Sequence, residues 1–147
     1  MVLQRWQSVY LLIAAIALGL ATFMPVFDIV RLDKSVLPVD LPSLESAAMP
    51  GGYAYFILLA LSALISLITI FKYKNLKLQK SLCSINMLLI IAAYITIAVC
   101  ANFTAGIEIA RWQLASLLPA FALICTFLAK SRIIHDYKLI HDADRLR

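Results

Sequence analysis

The sequence predicts an all-α integral membrane protein, a bundle of four transmembrane helices whose N-terminus and C-terminus both lie in the cytoplasm. The first observation is composition: 63% of the 147 residues are hydrophobic and only 14% are charged, against roughly 25% charged in a typical soluble domain. So few polar residues do not cover the surface of a soluble globule. The other observations are four long apolar segments and an uneven distribution of basic residues between them.

Four apolar segments without charge approach the length of about 20 residues that a helix needs to cross a bilayer. We place the spans at residues 8–27, 53–71, 83–101 and 112–129, in one domain covering residues 1–147. Each is expected to be a helix, because a backbone in lipid must satisfy its own hydrogen bonds. The first apolar run continues past Gly19 to Phe27, so we expect a retained span and not a cleaved signal peptide.

The basic residues orient the predicted bundle. Ten of the thirteen lie in the N-terminal segment, in an inner loop at residues 72–80 and in the tail at residues 130–147. The opposite side has only Arg31, Lys34 and Arg111. The positive-inside rule therefore places both termini in the cytoplasm. Topology and attraction to anionic lipid explain the net charge of +5 without a nucleic-acid partner.

Several local features are expected at the ends of the spans. In the outer loop at residues 28–52, Pro38 and Pro42 interrupt any strand. Glu108 and Arg111 are one helical turn apart and suited to pairing. Pro119 is expected to bend the fourth span.

The tail after the fourth span contains no glycine or proline and is predicted to extend helix four beyond the membrane. Charged residues at helical spacing, such as Arg132 and Asp136, are expected to pair on a solvated face. Ile133, Ile134, Tyr137 and Ile140 form an apolar stripe suited to contact with the membrane surface, the inner loop or another chain. The alternative is a frayed, solvated end.

Sequence motifs for chemistry are few, and we assign no catalytic residue, cofactor or metal site. Both histidines, His135 and His141, lie in the tail, which excludes haem ligation within the membrane by a single chain. The cysteines Cys83, Cys100 and Cys125 form no Cys-x-x-Cys motif and are expected to be free packing residues. The span cores carry no acid or base of the kind that proton-coupled transporters use.

Small and polar residues inside the spans predict how the helices pack. Small residues four positions apart on a helix permit a neighbouring helix to approach closely. This spacing is found in Ala15/Gly19, Ala17/Ala21, Ser62/Ser66 and Ser116/Ala120. Asn86 is costly if it faces lipid, so we place it inside the bundle. Packing within one chain accounts for these features, and contact with a second copy or a partner is the alternative.

Three motifs resemble a known family. They are Gln4-Arg5-Trp6-Gln7-Ser8-Val9-Tyr10-Leu11-Leu12 at the start, Lys77-Leu78-Gln79 with Leu82-Cys83-Ser84-Ile85-Asn86 before span three, and Asp136-Tyr137-Lys138-Leu139-Ile140 with Ala143-Asp144-Arg145-Leu146-Arg147 at the end. They are similar to small four-span inner-membrane proteins of Gram-negative bacteria known only as a domain of unknown function. The resemblance implies four helices and a bacterial inner membrane, and it implies no activity.

Two classes of function are compatible with these observations. The first is a non-catalytic scaffold, accessory subunit or assembly factor that contacts a protein partner or a second copy through the small-residue helix faces or the tail. The second is a small transporter, or a membrane protein that binds lipid or another small molecule. An interaction or bundle-stitching role is predicted for Arg5, Gln7, Asn86, Tyr137, Asp144 and Arg145.

Overall fold

A computed structural model of the chain describes residues 2–30, 34, 36–38, 52–104 and 109–147. The described residues form four α-helices, three short strands and one 3-10 helix. In chain order these are α1 (Val2–Phe23), β1 (Phe27–Val30), β2 (Val36–Pro38), α2 (Gly52–Phe71), α3 (Leu76–Thr104), β3 (Ile109–Trp112), the 3-10 helix (Leu114–Leu117) and α4 (Leu118–Arg145).

All four helices are long and apolar enough to cross a membrane, as the sequence predicted. Their outward faces are covered by large apolar side chains. One from each helix, in chain order, is Ile16, Ile57, Leu88 and Ile124, and each is more than half exposed. Such a surface is unfavourable in water and matches the hydrocarbon of a bilayer, since soluble monomers rarely expose large continuous apolar patches.

The helices are arranged as a ring. Helix α1 packs against α2 and α4, and α3 packs against the same two neighbours. Because a short turn joins α2 to α3, these two helices run antiparallel. One end of the bundle contains the start of α1, the α2–α3 turn and the last turns of α4, and we call it the terminal end. The opposite end carries the strands, and we call it the sheet end.

The interior is built from buried residues that recur at alternating intervals of three and four along each helix. This is the heptad spacing of left-handed helical bundles, in which knobs of one helix fill holes of its neighbours. The stripes are Gln7, Leu11, Ala14, Leu18 and Ala21 on α1; Tyr55, Leu59, Ser62, Ser66 and Thr69 on α2; Gln79, Cys83, Asn86, Ile90, Ala93, Ile97 and Cys100 on α3; and Ala122, Thr126, Ala129, Ile133 and Asp136 on α4.

A small antiparallel sheet covers this second end of the bundle. The sequence analysis did not predict the sheet. Its strand order is β2–β1–β3, so it joins the connection after α1 to the connection before α4. Pro38 is the last residue of β2, which is an edge strand of the sheet. Proline has no backbone N–H to donate to a neighbouring strand, and edge strands tolerate this loss. The prediction that Pro38 interrupts a strand agrees with the end of β2 at this residue, and Pro42 lies outside the described residues.

The ends of the first and fourth spans also differ from the prediction. Helix α1 ends at Phe23 and not at residue 27, because Pro25 follows and the segment Phe27–Val30, which contains the β-branched Ile29 and Val30, pairs in the sheet. Trp112 belongs to β3 and not to the fourth helix. Pro119 lies in the first turn of α4, where its lack of an N–H costs nothing, so it does not bend the span.

The connection between α2 and α3 is shorter than the predicted loop at residues 72–80. It covers residues 72–75, and Lys77 and Lys80 already belong to the first turns of α3. Asn75 caps this helix, because its Oδ1 accepts a hydrogen bond of 3.3 Å from the backbone N–H of Leu78.

The tail continues α4 without a break to Arg145, as predicted. Its first half does not project freely. Ile133 is completely buried and Asp136 is also buried, whereas every residue from Tyr137 onward is exposed. The overhang of the helix is therefore shorter than the sequence suggested.

Candidate functional site: polar layers of the bundle and a groove at the sheet end

A polar cluster around Asn86 connects three helices inside the bundle. The Asn86 side-chain amide donates to Ser66 Oγ on α2 over 2.8 Å and to Thr126 Oγ1 on α4 over 3.5 Å. In return, the Ser62 hydroxyl donates to Asn86 Oδ1. Asn86 is 1% exposed, so the prediction that it lies inside the bundle is confirmed.

The small-residue pairs serve different purposes. Ser62 and Ser66 are both fully buried and supply the hydroxyls that satisfy the Asn86 amide. Ala17 and Ala21 are buried in the apolar core. Gly19 is different, because a Cβ added there would meet no atom within 4 Å. Within this chain, Gly19 does not mediate a close helix approach.

The terminal end contains a buried polar pair between α1 and α4. The Gln7 side-chain amide donates to Oδ2 of Asp136, and the two residues are 1% and 8% exposed. The pair lies one helical turn beyond a cluster formed by Leu11, Cys83, Ala129 and Ile133. Among the side chains that the structure describes, it therefore forms the last layer of the interior at the terminal end.

A second polar contact, between α2 and α3, lies in the same layer. Gln79, one turn before Cys83 on α3, donates from Nε2 to the backbone carbonyl of Thr69 on α2 over 3.3 Å. We call Gln7, Thr69, Gln79 and Asp136 the terminal polar layer. Two acceptor atoms in it, Asp136 Oδ1 and Gln79 Oε1, are buried and have no hydrogen-bond partner among the described residues. Such atoms raise the free energy of the folded state.

The structure separates the six predicted interaction residues. Gln7 and Asn86 are buried and connect helices. Tyr137 is 40% exposed and lies beside His141, with ring centroids 6.2 Å apart, on the projecting part of α4. Asp144 and Arg145 are exposed at the end of that helix. The side chain of Arg5 lies outside the described residues, as do Glu108 and its predicted pairing with Arg111.

Asp136 is the residue that the sequence analysis assigned wrongly. It was expected on a solvated face, paired with Arg132 one turn away, but it is buried and bonded to Gln7. Charged residues of the tail are also at pairing distance along the helix in Lys138/Asp142, Asp142/Arg145 and Asp144/Arg147, but none of these pairs, nor Arg132/Asp136, is formed among the described residues. The signal that identifies Asp136 is its spacing, because Ala122, Thr126, Ala129, Ile133 and Asp136 continue one heptad stripe past the predicted membrane boundary.

The described residues contain no group of three His, Cys, Asp or Glu side chains arranged to hold a metal ion. No disulfide joins Cys83, Cys100 and Cys125 within the described residues, and all three are buried. Cys83 packs at the terminal end and the other two belong to the larger core cluster nearer the sheet end. The cysteines are therefore packing residues of the interior.

An open groove of about 750 Å³ lies at the sheet end, beside the start of α4. Its polar wall contains Asp28 of β1 and Arg111 of β3, which are directly opposite each other in the sheet register. Gln113 fixes this wall: its Nε2 donates to Asp28 Oδ1 over 2.7 Å, and its backbone N–H donates to the Val26 carbonyl over 3.0 Å. The remaining lining is mainly apolar: Met24, Pro25, Trp112, Leu114, Ala115 and Leu118.

Comparison with known protein families identifies the family of this chain. The family model described as Domain of unknown function (DUF4293) matches residues 3–146, which is nearly the whole chain. The chain belongs to the DUF4293 family. The resemblance to a family of unknown function is thereby confirmed. No curated protein and no solved structure matches the chain significantly. The DUF4293 match extends from the first turn of α1 to the end of α4, so it includes both partners of the Gln7–Asp136 pair.

Proposed function

We propose that this protein is a non-catalytic scaffold, accessory subunit or assembly factor of a bacterial inner membrane, and that it needs no cofactor. The observation that carries the proposal is the projecting part of α4. After Asp136, the last buried residue, the helix continues to Arg145 with Tyr137, Leu139 and Ile140 at least 40% exposed. A regular helix with exposed apolar side chains is suited to binding a protein partner.

The filled interior supports a scaffold in preference to a transporter. The heptad stripes bring side chains of all four helices into successive layers, and the Asn86 cluster uses its polar groups to bond one helix to another. A substrate passing through the bundle would have to break these layers.

The distribution of charge supports the cytoplasmic placement of the proposed docking helix. The terminal end carries Lys72, Lys74, Lys77 and Lys80 near the α2–α3 turn, and Lys130 and Arg132 on α4. By the positive-inside rule, this end faces the cytoplasm. The same residues attract anionic lipid headgroups, which would hold the projecting helix close to the membrane surface.

A small transporter or a protein that binds lipid or another small molecule is the second candidate. The observation that favours it is the groove of about 750 Å³ at the sheet end, which combines an apolar wall with the charged residues Asp28 and Arg111. Ligand sites commonly have this composition, with few polar groups in a mostly apolar lining.

Affinity purification in a mild detergent tests the docking helix. We expect the full chain to retain a stoichiometric protein partner, and the variant carrying Leu139→Ser and Ile140→Ser to lose it. Leu114→Ser is the matched control, since Leu114 is an exposed apolar residue at the opposite end of the bundle. Retention of the same partner by the double variant, or its equal loss from the control, contradicts the proposal.

A further inference from the structure

We propose that the groove at the sheet end binds the headgroup region of a zwitterionic aminophospholipid, a lipid with a phosphodiester and a primary ammonium group. The proposal rests on the membrane placement of the four helices and is independent of the scaffold role. It combines the position of the groove, the arrangement of its two charged residues and the chemistry of its walls.

The groove lies at the level where helices leave the hydrocarbon. Met24 follows directly after the end of α1, and Leu118 is the first residue of α4. Trp112, whose side chain is 55% exposed, lines the same groove. Tryptophan concentrates at membrane–water interfaces, so this is the depth of lipid headgroups.

The two charged residues of the groove are held close together by the sheet. Asp28 and Arg111 are direct cross-strand partners in the antiparallel β1–β3 pair. In such pairs the Cβ atoms are about 4.5–5.5 Å apart and point to the same face. Among the described residues, no ion pair joins these two side chains, and the Asp28 carboxyl instead accepts a bond from Gln113.

This arrangement matches a dipolar headgroup. A guanidinium binds phosphate oxygens with two parallel hydrogen bonds, so Arg111 is suited to the phosphodiester. A carboxylate accepts hydrogen bonds from a primary ammonium group, which assigns the amine to Asp28. In an aminophospholipid a two-carbon spacer joins these groups, a separation comparable to that of neighbouring residues across a sheet.

The apolar part of the groove accommodates the rest of the lipid. Met24, Pro25, Leu114 and Leu118 form an apolar wall beside the charged pair, at the end of α1 and the start of α4. Leu114 is 85% exposed, which is unfavourable in water and favourable beside an acyl chain. The proposed site therefore has a charged edge for the headgroup and an apolar edge for the glycerol and first chain carbons.

Lipid retention in native mass spectrometry tests the proposal. The full chain in micelles is offered equal amounts of phosphatidylethanolamine and phosphatidylcholine, whose trimethylammonium group carries the same charge but no N–H. We expect the ethanolamine lipid to be retained about tenfold more, equivalent to about 1.4 kcal/mol. Equal retention of the two lipids overturns the proposal.

Substitutions of Asp28 and Arg111 test which residue contacts the ammonium group of the lipid and which contacts its phosphate. Asp28→Asn keeps an Oδ1 acceptor for Gln113 and is expected to abolish the preference for the ethanolamine lipid while leaving phosphatidylcholine bound. Arg111→Gln should lower retention of both lipids, and Arg111→Lys should restore part of it. Arg147→Gln, at an exposed arginine beyond the end of α4 and at the opposite end of the bundle from the groove, should change nothing. An unchanged preference in Asp28→Asn overturns the proposal.

Two further measurements keep the result interpretable. Each variant is compared with the unmodified protein for its melting temperature in lipid-free detergent, and Asp28→Asn should match it because the Gln113 contact is kept. Soluble phosphoethanolamine is then added as a competitor. It should displace the lipid poorly, because it lacks the chains that contact Leu114 and Leu118. Efficient displacement would show a water-soluble ligand and overturn the assignment to a phospholipid.

Discussion

The side-chain amide of Gln7 donates a hydrogen bond to the carboxyl group of Asp136, across the buried contact between α1 and α4. The two residues come from opposite ends of the sequence and meet in the interior of the bundle at its terminal end. The pair therefore joins the start of the first helix to the part of the fourth helix that lies beyond the predicted span.

The Gln7–Asp136 pair is expected to contribute to stability as a unit. Gln7→Leu or Asp136→Leu leaves the other member buried without its partner, which should lower the free energy of unfolding by about 1–3 kcal/mol. The double substitution should cost less than the sum of the two. Denaturant unfolding in micelles measures this, with the exposed Asp142→Leu as the control on the same helix. Additive effects would show that the bond contributes nothing.

The Asn86 cluster is expected to stabilise the bundle modestly. Hydrogen bonds between membrane helices average about 0.6 kcal/mol, with a maximum near 1.7 kcal/mol. Asn86→Leu should therefore lower the melting temperature in detergent, and Thr126→Val should lower it less, because the Asn86–Thr126 contact is the longer one at 3.5 Å. Ser81→Ala, at an exposed position of α3, is the control. A larger loss for Thr126→Val would contradict this ranking.

Two truncations are expected to show that the tail contributes to stability only as far as Asp136. A chain ending at residue 137 keeps Ile133 and Asp136 and should melt at the temperature of the full chain. A chain ending at residue 132 loses both buried residues, and removal of a buried isoleucine alone is expected to cost about 2–5 kcal/mol. Thermal unfolding of both truncations in the same detergent provides the comparison. Equal melting temperatures would mean that the tail does not pack on α1.

The Gly19 surface distinguishes a monomer from a close-packed homo-oligomer. A methyl group at Gly19 meets no atom of the same chain within 4 Å. Gly19→Ala should therefore raise stability by up to about 1 kcal/mol through helix propensity. If a second copy packs closely on Gly19, the same substitution should weaken association. Melting temperature and sedimentation in detergent separate the two results, and Ala60→Gly, at an exposed position of α2, controls for propensity alone.

Cysteine labelling is expected to show that the two ends of the bundle face opposite sides of the membrane. Lys34→Cys at the sheet end and Ser131→Cys at the terminal end are both exposed positions. In a background without the three native cysteines, an impermeant reagent added to intact spheroplasts should label only Lys34→Cys. Labelling of Ser131→Cys in intact spheroplasts would place the basic terminal end outside the cytoplasm and contradict the predicted orientation of the bundle.

The sequence predicts the four helices and the burial of Asn86 because both depend on the free energy of transfer from water into lipid, which each segment's own residues determine. Length and hydropathy identify the spans, and the cost of an amide in lipid places Asn86 inside. The sheet depends instead on pairing between distant segments. Nothing near Phe27 shows that it lies opposite Trp112. For the same reason, the partner of Asp136 is visible only once α1 and α4 are packed together.

The pairing of β1 with β3 also has a consequence for the order of assembly. It joins the connection after α1 to the connection before α4, so the complete sheet forms only after α1, α2 and α3 have been threaded through the membrane and β3 has reached the side of β1. Contacts of such high sequence separation form late, because the intervening chain must first be ordered. Protease resistance at the sheet end should therefore appear after the first three helices have inserted, and it would report that β1 and β3 have paired.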